Sequence, residues 1–210
     1  MGFGIGIGIG WPNASAGSVI APPTVVIGDQ TWALKNLDVD TYADGTAIPQ
    51  VTDPVEWAGL TTGAWCYYNN DPANGAIYGK LYNFYAISDP RGLAPVGYHV
   101  PTDNELINLI TFLGGGAVAG GPLKEIGTTH WNSPNTNATN SSGFTSLPGG
   151  TRSNVGSFFD IYNQGMYWSS TQYDPNPLLA TFQGTYYNQA STYRGTVPKK
   201  YGFSIRLIKN

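Results

Sequence analysis

Residues 97–113 read GYHVPTDNELINLITFL, and this stretch carries the clearest helix signal in the chain. Thr102 and Glu105 have the spacing of a capping box, in which each side chain bonds the backbone N–H of the other residue. Apolar residues follow at helical intervals: Leu106, Leu109, Ile110 and Leu113. Three glycines at 114–116 then break the pattern. The sequence therefore predicts an amphipathic helix that begins after Thr102 and ends before Gly114.

Upstream of this helix the sequence predicts a hairpin, a helix start and one further helix. Residues 25–37 contain two short β-rich runs around Gly28–Asp29, which is a strong turn pair. Asp53 followed by Pro54 is typical of a helix start. Apolar residues at helical spacing predict another helix over 77–87, ended by Asp89–Pro90.

Downstream of the helix the periodicity is lost. Residues 128–165 are rich in Asn, Ser, Thr, Gly and Pro and predict long structured loops. Short strands are expected after them: Met166–Ser170, Leu179–Phe182, Tyr186–Tyr187 and Phe203–Ile208.

Composition restricts the function. The 210 residues fit one main core, and the net charge of −3 argues against a nucleic-acid partner, which would need clustered Lys and Arg. No apolar run approaches the roughly 20 residues of a membrane-spanning helix, so no membrane partner is expected. The single cysteine, Cys66, excludes an intrachain disulfide and is expected to be a buried apolar side chain.

The first ten residues differ in character from the rest. Residues 2–10 read GFGIGIGIG, and a strand would place the large side chains on one face. We expect this arm to dock on another subunit, because its glycines make independent folding costly. Pairing with the chain's own sheet edge and insertion into a membrane are the alternatives. The residues assigned to oligomerisation are Phe3, Ile5, Ile7, Ile9 and Trp11. The predicted organisation is an assembly arm and linker over 1–26 and a globular body over 27–210.

Seven strings along the body occur in the order of a known family: TWALKNLDVDTY, TGAWCYYNND, YGKLYNFYAI, GYHVPTDNEL, HWNSPNTNATNSSGFTSLPGG, YWSST and GFSIRLIK. Together they resemble the Fibrobacter succinogenes major paralogous domain over residues 27–210. The resemblance implies a C-type lectin-like fold, an α+β unit with two helices, short antiparallel strands and long structured loops. It also implies that the terminal strands pair, with Thr31–Leu37 beside Phe203–Ile208.

Enzymatic activity is not expected. Both histidines, His99 and His130, lie within motifs of the resemblance, which implies scaffold positions for them. No metalloprotease, hydrolase or phosphate-binding motif is present, and no catalytic residue is assigned. The resemblance extends to the formylglycine-generating enzymes, but their copper-binding cysteine pair cannot form with one cysteine.

No metal site or cofactor is predicted, but binding of a structural Ca²⁺ ion is kept as an alternative. Residues 174–177 read DPNP and loosely resemble the sugar-binding calcium loop of C-type lectins. Asn69–Asp71 is a second oxygen-rich cluster, which turn chemistry explains equally well.

Ligand binding is assigned to the segment between YWSST and GFSIR. It is rich in the Tyr, Asn, Ser and Arg side chains that recognition loops favour. The predicted ligand-binding residues are Tyr173, Phe182, Tyr186, Tyr187, Asn188, Gln189, Tyr193 and Arg194. A glycan and a protein are both open as ligands.

The combined expectation is a structural and recognition protein of a bacteriophage virion. In this hypothesis the arm assembles a homo-oligomer with other virion proteins, and the body binds a host-surface glycan or protein. The alternative is a carbohydrate-binding module that is secreted or held on a bacterial surface.

Overall fold

The computed structural model describes residues 22–210. The predicted arm, with its oligomerisation residues Phe3, Ile5, Ile7, Ile9 and Trp11, lies outside the described residues. The described part is a mixed α+β structure with short helices and several antiparallel sheets. Its first strand begins at Thr24, three residues before the boundary expected from the sequence.

The strands of the described part are β1 Thr24–Ile27, β2 Gln30–Ala33, β3 Trp65–Cys66, β4 Leu81–Tyr82, β5 Tyr98–His99, β6 Gly149–Arg152, β7 Phe158–Ile161, β8 Gln164–Gln172, β9 Leu179–Tyr186, β10 Thr192–Pro198 and β11 Ile208–Lys209. They form a four-stranded sheet in the order β1-β2-β11-β5, a three-stranded sheet in the order β10-β9-β8, and the pairs β3-β4 and β6-β7. The helices are α1 Pro54–Gly59, α2 Pro72–Tyr78, α3 Phe84–Ile87, α4 Asp103–Phe112 and α5 Gly120–Leu123.

The two ends of the described chain meet in one sheet. β1 and β2 form the predicted hairpin around Gly28–Asp29, and Ile208 of β11 pairs with Trp32 of β2. The backbone N–H of Leu37 also donates to the carbonyl of Ile205 at 2.8 Å. The predicted pairing of the terminal segments is confirmed.

Helix α4 also agrees with its sequence signal. The Thr102 side chain accepts the backbone N–H of Glu105, and the Glu105 carboxylate accepts the backbone N–H of Thr102. The predicted capping box is therefore present, and the helix ends at Phe112. The predicted helix start at Asp53–Pro54 is confirmed by α1, which Asp53 caps.

The continuous helix predicted over 77–87 is wrong. Helix α2 ends before Gly79, whose φ of +73° no side-chain residue adopts readily. The chain then crosses the core as β4, where the Tyr82 N–H donates to the carbonyl of Phe203 at 2.9 Å. Asn83 accepts the Ala86 N–H and starts the separate helix α3. Backbone pairing with the C-terminal segment thus outweighs helical spacing here. Of the two expected helices, α4 is present and the other is divided, and residues 22–210 contain five α-helices in all.

Part of the predicted loop region is also a hairpin. Residues 149–161 form β6 and β7, although the composition of residues 128–165 had predicted loops. Gly150 has a φ of +67°, and a Cβ there would lie 2.6 Å from the Tyr68 ring. The glycine is therefore required by close packing inside the hairpin rather than by an exposed turn.

Three groups of buried side chains form the core. The largest surrounds Trp168 and Phe203, a second lies between α4 and Trp32, and a third surrounds Trp57 and Cys66. The tryptophans at 32, 65, 131 and 168 are all buried, as expected from their type. Burial raises the pKa of the Cys66 thiol to about 12, which leaves it protonated and unreactive.

Buried cations hold irregular segments in place. Arg206 is 1% exposed and donates to the backbone carbonyls of Ala33, Leu34, Phe144 and Thr145. Arg152 is 0% exposed and donates to the carbonyls of Val51, Thr52 and Gly156. These guanidinium groups supply donors to buried and partly buried backbone carbonyls, most of them in irregular segments.

Candidate functional site

The predicted ligand-binding residues do not form one site. Tyr173 follows β8 in the β8–β9 loop, whereas Tyr186 ends β9 at the opposite end of the same hairpin. Eight residues of strand separate these ends, roughly 26 Å at the usual rise per residue. Tyr173 therefore cannot share a small ligand with Tyr186, Tyr187, Asn188 and Gln189.

Phe182 is not available to a ligand. Its side chain is 5% exposed, and its ring lies 5.0 Å from that of Phe203 in the largest core group. The sequence prediction for Phe182 is wrong because β9 is the central strand of its sheet and is covered on both faces.

The Arg194 guanidinium is already paired with a carboxylate of the same chain. Its guanidinium bonds both carboxylate oxygens of Asp103, the first residue of α4, with the Nε contact at 2.7 Å. The Asp103 side chain is only 13% exposed, so the pair joins β10 to the start of the helix. The position of Arg194 favours a structural role over ligand contact.

Three loops meet at the end of the sheet where β9 stops, and we call residues 130–137, 160–164 and 186–190 the end-loop cluster. The Asn132 N–H donates to the carbonyl of Tyr162 at 2.9 Å, and the Asn132 side chain donates to that of Asn163 at 2.9 Å. The Tyr187 N–H donates to the carbonyl of Asn163, and the Tyr187 carbonyl accepts the N–H of Thr136 at 2.7 Å. Each loop is therefore bonded to the other two.

Lys124 stabilises the end-loop cluster through three hydrogen bonds. Its side chain is buried, and Nζ donates to the carbonyls of Thr136, Tyr186 and Gln189 at 2.8–2.9 Å. An ammonium group has three donors, and all of them are used here. Loss of bulk water around it lowers the pKa of Lys124 to about 8.

This lowered pKa predicts a pH-dependent contribution to stability. An unfolded lysine titrates near 10.4, so between about pH 8 and 10 the unfolded chain binds more protons at this residue than the folded chain. The free energy of unfolding of the wild type should then rise relative to that of Lys124→Met as the pH increases from 8 to 10. Urea titrations of both proteins at pH 7, 8, 9 and 10 measure this difference. Parallel pH curves would contradict it, and Lys209→Met, at an exposed lysine, should run parallel to the wild type.

The structure adds residues to the site that sequence reasoning missed. Tyr162 is 45% exposed and lies with Asn163 in the tight turn between β7 and β8. Asp160, just before this turn, accepts a hydrogen bond from the Gln164 amide at 2.7 Å. The string DIYNQ at 160–164 has the Tyr, Asn and Gln content of the segment that was selected, but it fell within a region interpreted as scaffold loops.

Aromatic side chains define the open part of the site. The Tyr186 ring lies 6.4 Å from that of Tyr193, which is 50% exposed. Burial raises the pKa of Tyr186, and Tyr193 and Asp160 nearby raise it further. The Tyr186 hydroxyl therefore stays protonated at neutral pH and can donate as well as accept. Asn188 and Gln189 are exposed beside these rings.

Both histidines have partners. His130 Nδ1 lies 2.9 Å from a Glu125 carboxylate oxygen, and its ring packs edge-on against Tyr78 at 5.9 Å. His99 lies 2.9 Å from Glu105 through Nε2 and 2.6 Å from Asn210 through Nδ1. His99 therefore links β5, α4 and the C-terminal residue.

The two oxygen-rich segments differ in their surroundings. Asp71 caps α2 by accepting the Ala73 N–H, and the Asn70 amide donates to the carbonyl of Thr52. Residues 174–177 are exposed in the β8–β9 loop. Within residues 22–210, no three His, Cys, Asp or Glu side chains come together as a metal-binding group. A structural Ca²⁺ ion stays a prediction.

No helix within residues 22–210 is long and apolar enough to span a bilayer.

The geometry defines a class of protein: a mixed α+β domain whose open surface is a set of aromatic and amide side chains on mutually bonded loops. The chain belongs to the family of the Fibrobacter succinogenes major domain, whose family model matches residues 25–209. The resemblance predicted from the seven strings is thereby confirmed. Neither a curated protein nor a solved structure matches the chain.

Proposed function

We propose that this chain is a non-enzymatic recognition protein that binds a neutral glycan through the end-loop cluster. The observation that carries the proposal is the convergence of exposed or half-exposed tyrosines with amides and one carboxylate on loops that bond each other. The members of this surface are Asn132, Asp160, Tyr162, Asn163, Gln164, Tyr186, Tyr187, Asn188, Gln189 and Tyr193. Sugar rings present flat apolar faces and many hydroxyls, which aromatic and amide side chains complement.

The rigidity of the loops supports recognition. Lys124 and the bonds among Asn132, Asn163 and Tyr187 fix the loop backbones before any ligand arrives. A preformed site loses less conformational entropy on binding than a disordered one.

We also assign the body to the C-type lectin-like fold, the finer class that the sequence resemblance implies. The pairing of β2 with β11 and the long irregular stretch between α5 and β6 support this assignment. By fold location, residues 186–190 of the end-loop cluster and the β9–β10 hairpin lie in the final segment, residues 172–200, that carries binding positions in such folds.

We place this recognition protein in a bacteriophage virion, where the Gly-Ile arm of residues 2–10 holds copies together and the body faces outward. The support is the sequence of the arm, which has four large apolar side chains at alternate positions and no charged side chain. Neighbouring genes for capsid or tail proteins would agree with this role. Neighbouring genes for polysaccharide utilisation would instead favour an exported carbohydrate-binding module.

The binding site is tested by Tyr162→Gly on the full chain. Tyr162 has a φ of +68°, a left-handed conformation that costs an L-residue about 1 kcal/mol and glycine nothing. The variant should therefore unfold at nearly the wild-type urea concentration. Loss of one central aromatic contact, about 2 kcal/mol, should weaken binding of the glycan selected on an array by roughly 30-fold.

Tyr173→Ala is the matched control, because this exposed tyrosine lies at the far end of the β8–β9 hairpin. It should leave glycan affinity unchanged. Equal losses in both variants would place the ligand elsewhere. Absence of any glycan on the array, together with capture of a host surface protein that Tyr162→Gly abolishes, would replace the glycan by a protein ligand at the same site.

A further inference from the structure

An open groove of about 500 Å³ lies between the β1–β2 turn and the end of α4, and none of its lining residues belongs to the end-loop cluster. We call it the β1–α4 groove; its walls include Val26, Gly28, Phe112, Leu113 and Gly114. Phe112 is 64% exposed and Val26 is 67% exposed, which is unusual for large apolar side chains lining one concave surface.

The groove is rigid and uncharged. The Phe112 ring packs against Gly28, and a Cβ added there would approach the ring to 3.0 Å. The β1–β2 turn and the end of α4 are therefore in direct contact. None of the groove-lining residues has an ionisable side chain. On its polar rim, the Ser142 hydroxyl already donates to the carbonyl of Pro122 at 2.8 Å. An occupant of this groove should therefore be apolar, uncharged and narrow.

The chain contains a segment with these properties. Residues 3–9 carry Phe3, Ile5, Ile7 and Ile9, separated only by glycines, and no charged side chain. Alternating glycines leave one face of an extended segment without side chains, so it can approach a wall closely. In addition, β1 is the outer strand of its sheet among the described residues, which suits an extended occupant.

The direction of the chain favours a groove on another copy. The carbonyl of Pro23 accepts the N–H of Leu34 at 2.8 Å. The backbone pairing of β1 with β2 therefore extends one residue before Thr24, the first residue of β1. Pro22 and Pro23 hold the chain extended at this point, so it leaves β1 at the end opposite Val26 and Gly28. The eleven residues 11–21 can span up to roughly 36 Å, which reaches a neighbouring body and also the chain's own groove, so the crosslinking experiment below decides between the two.

We propose that the β1–α4 groove of one copy receives residues 3–9 of a second copy. This inference rests on the assembly role proposed for the arm and names the surface that accepts it. Exchange of arms between copies would bury the exposed Phe112 and Val26 side chains together with the isoleucines of the arm.

Phe112→Asp tests the groove by size-exclusion chromatography with light scattering on the full chain. The wild type should elute as an oligomer, and the variant should fall to the mass of one chain, 22.4 kDa. Val96→Asp is the matched control, because Val96 is 94% exposed and lies outside the groove. It should stay oligomeric. Thermal melting checks that both variants are folded.

Deletion of residues 2–10 separates the two proposals. If the deletion yields monomers but Phe112→Asp stays oligomeric, the groove proposal is overturned and the assembly role of the arm stands. If the wild type and the deletion are both monomers, the assembly role itself fails.

Crosslinking distinguishes another copy from the same chain. Because Cys66 is buried, Ile7→Cys and Phe112→Cys supply the accessible thiols. A mixture of the two single variants, carrying tags of different size, should form a disulfide-linked heterodimer. A crosslink that forms only within one chain of the double variant would overturn exchange between copies.

Discussion

Arg206→Leu should lower the free energy of unfolding by at least about 4 kcal/mol, the typical result of leaving several buried polar groups without their charged partner. The side chain is 1% exposed and donates to carbonyls at the end of β2 and in the loop before β6. Its guanidinium also lies 4.5 Å from the centre of the Phe144 ring. Leucine fills part of the volume but donates nothing, so these carbonyls would remain buried without donors. Urea unfolding measures the loss.

Arg91→Leu is the control for Arg206→Leu. Arg91 forms an ion pair with Asp89 at 2.8 Å, but its side chain is 40% exposed. Water can replace the arginine there, so the loss should stay below about 1 kcal/mol. Equal losses for the two variants would show that carbonyl binding by Arg206 contributes no more than a surface ion pair.

Lys124→Met should lower the free energy of unfolding by about 3 kcal/mol, because three partly buried carbonyls lose their donor while the methionine retains most of the apolar stem. All three carbonyls, those of Thr136, Tyr186 and Gln189, belong to the end-loop cluster. The variant should therefore also bind the selected glycan at least tenfold more weakly at temperatures where it is still folded. Urea unfolding and titration calorimetry provide the two measurements.

Lys209→Met controls for the loss of a positive charge, since Lys209 is exposed in β11. It should change neither stability nor affinity measurably. If Lys124→Met destabilised the fold but left glycan affinity intact, the hydrogen bonds of Lys124 would be structural only. The end-loop cluster would then not be the glycan-binding site.

Elements with strong local chemistry could be predicted from the sequence. The capping box at Thr102 and Glu105, the Asp53–Pro54 helix start and the Gly28–Asp29 turn are made by neighbouring residues, so local pattern is sufficient. The helix predicted over 77–87 failed for the opposite reason. Its apolar spacing was real, but the Tyr82 backbone pairs with Phe203, which lies far away in sequence.

The candidate site, too, could be predicted from the sequence only in part. Residue type selected Tyr186, Tyr187, Asn188, Gln189 and Tyr193, which the structure brings to one surface or its edge. It could not separate them from Phe182, whose ring points into the core, or from Tyr173 at the far end of the hairpin. Alternation along a strand and the length of a hairpin decide these positions, and neither is visible in composition.

The sequence by itself determined the family, the amphipathic helix and the meeting of the terminal strands, because each depends on local chemistry or on an ordered set of motifs. Only the tertiary structure decided that Tyr162 and Asn132 join the tyrosines of β9 and β10, and that Lys124 holds them there. These contacts join residues 12 to 65 positions apart in the chain. Burial of a lysine against loop carbonyls has no local sequence pattern, because its three acceptors are backbone atoms that every residue carries.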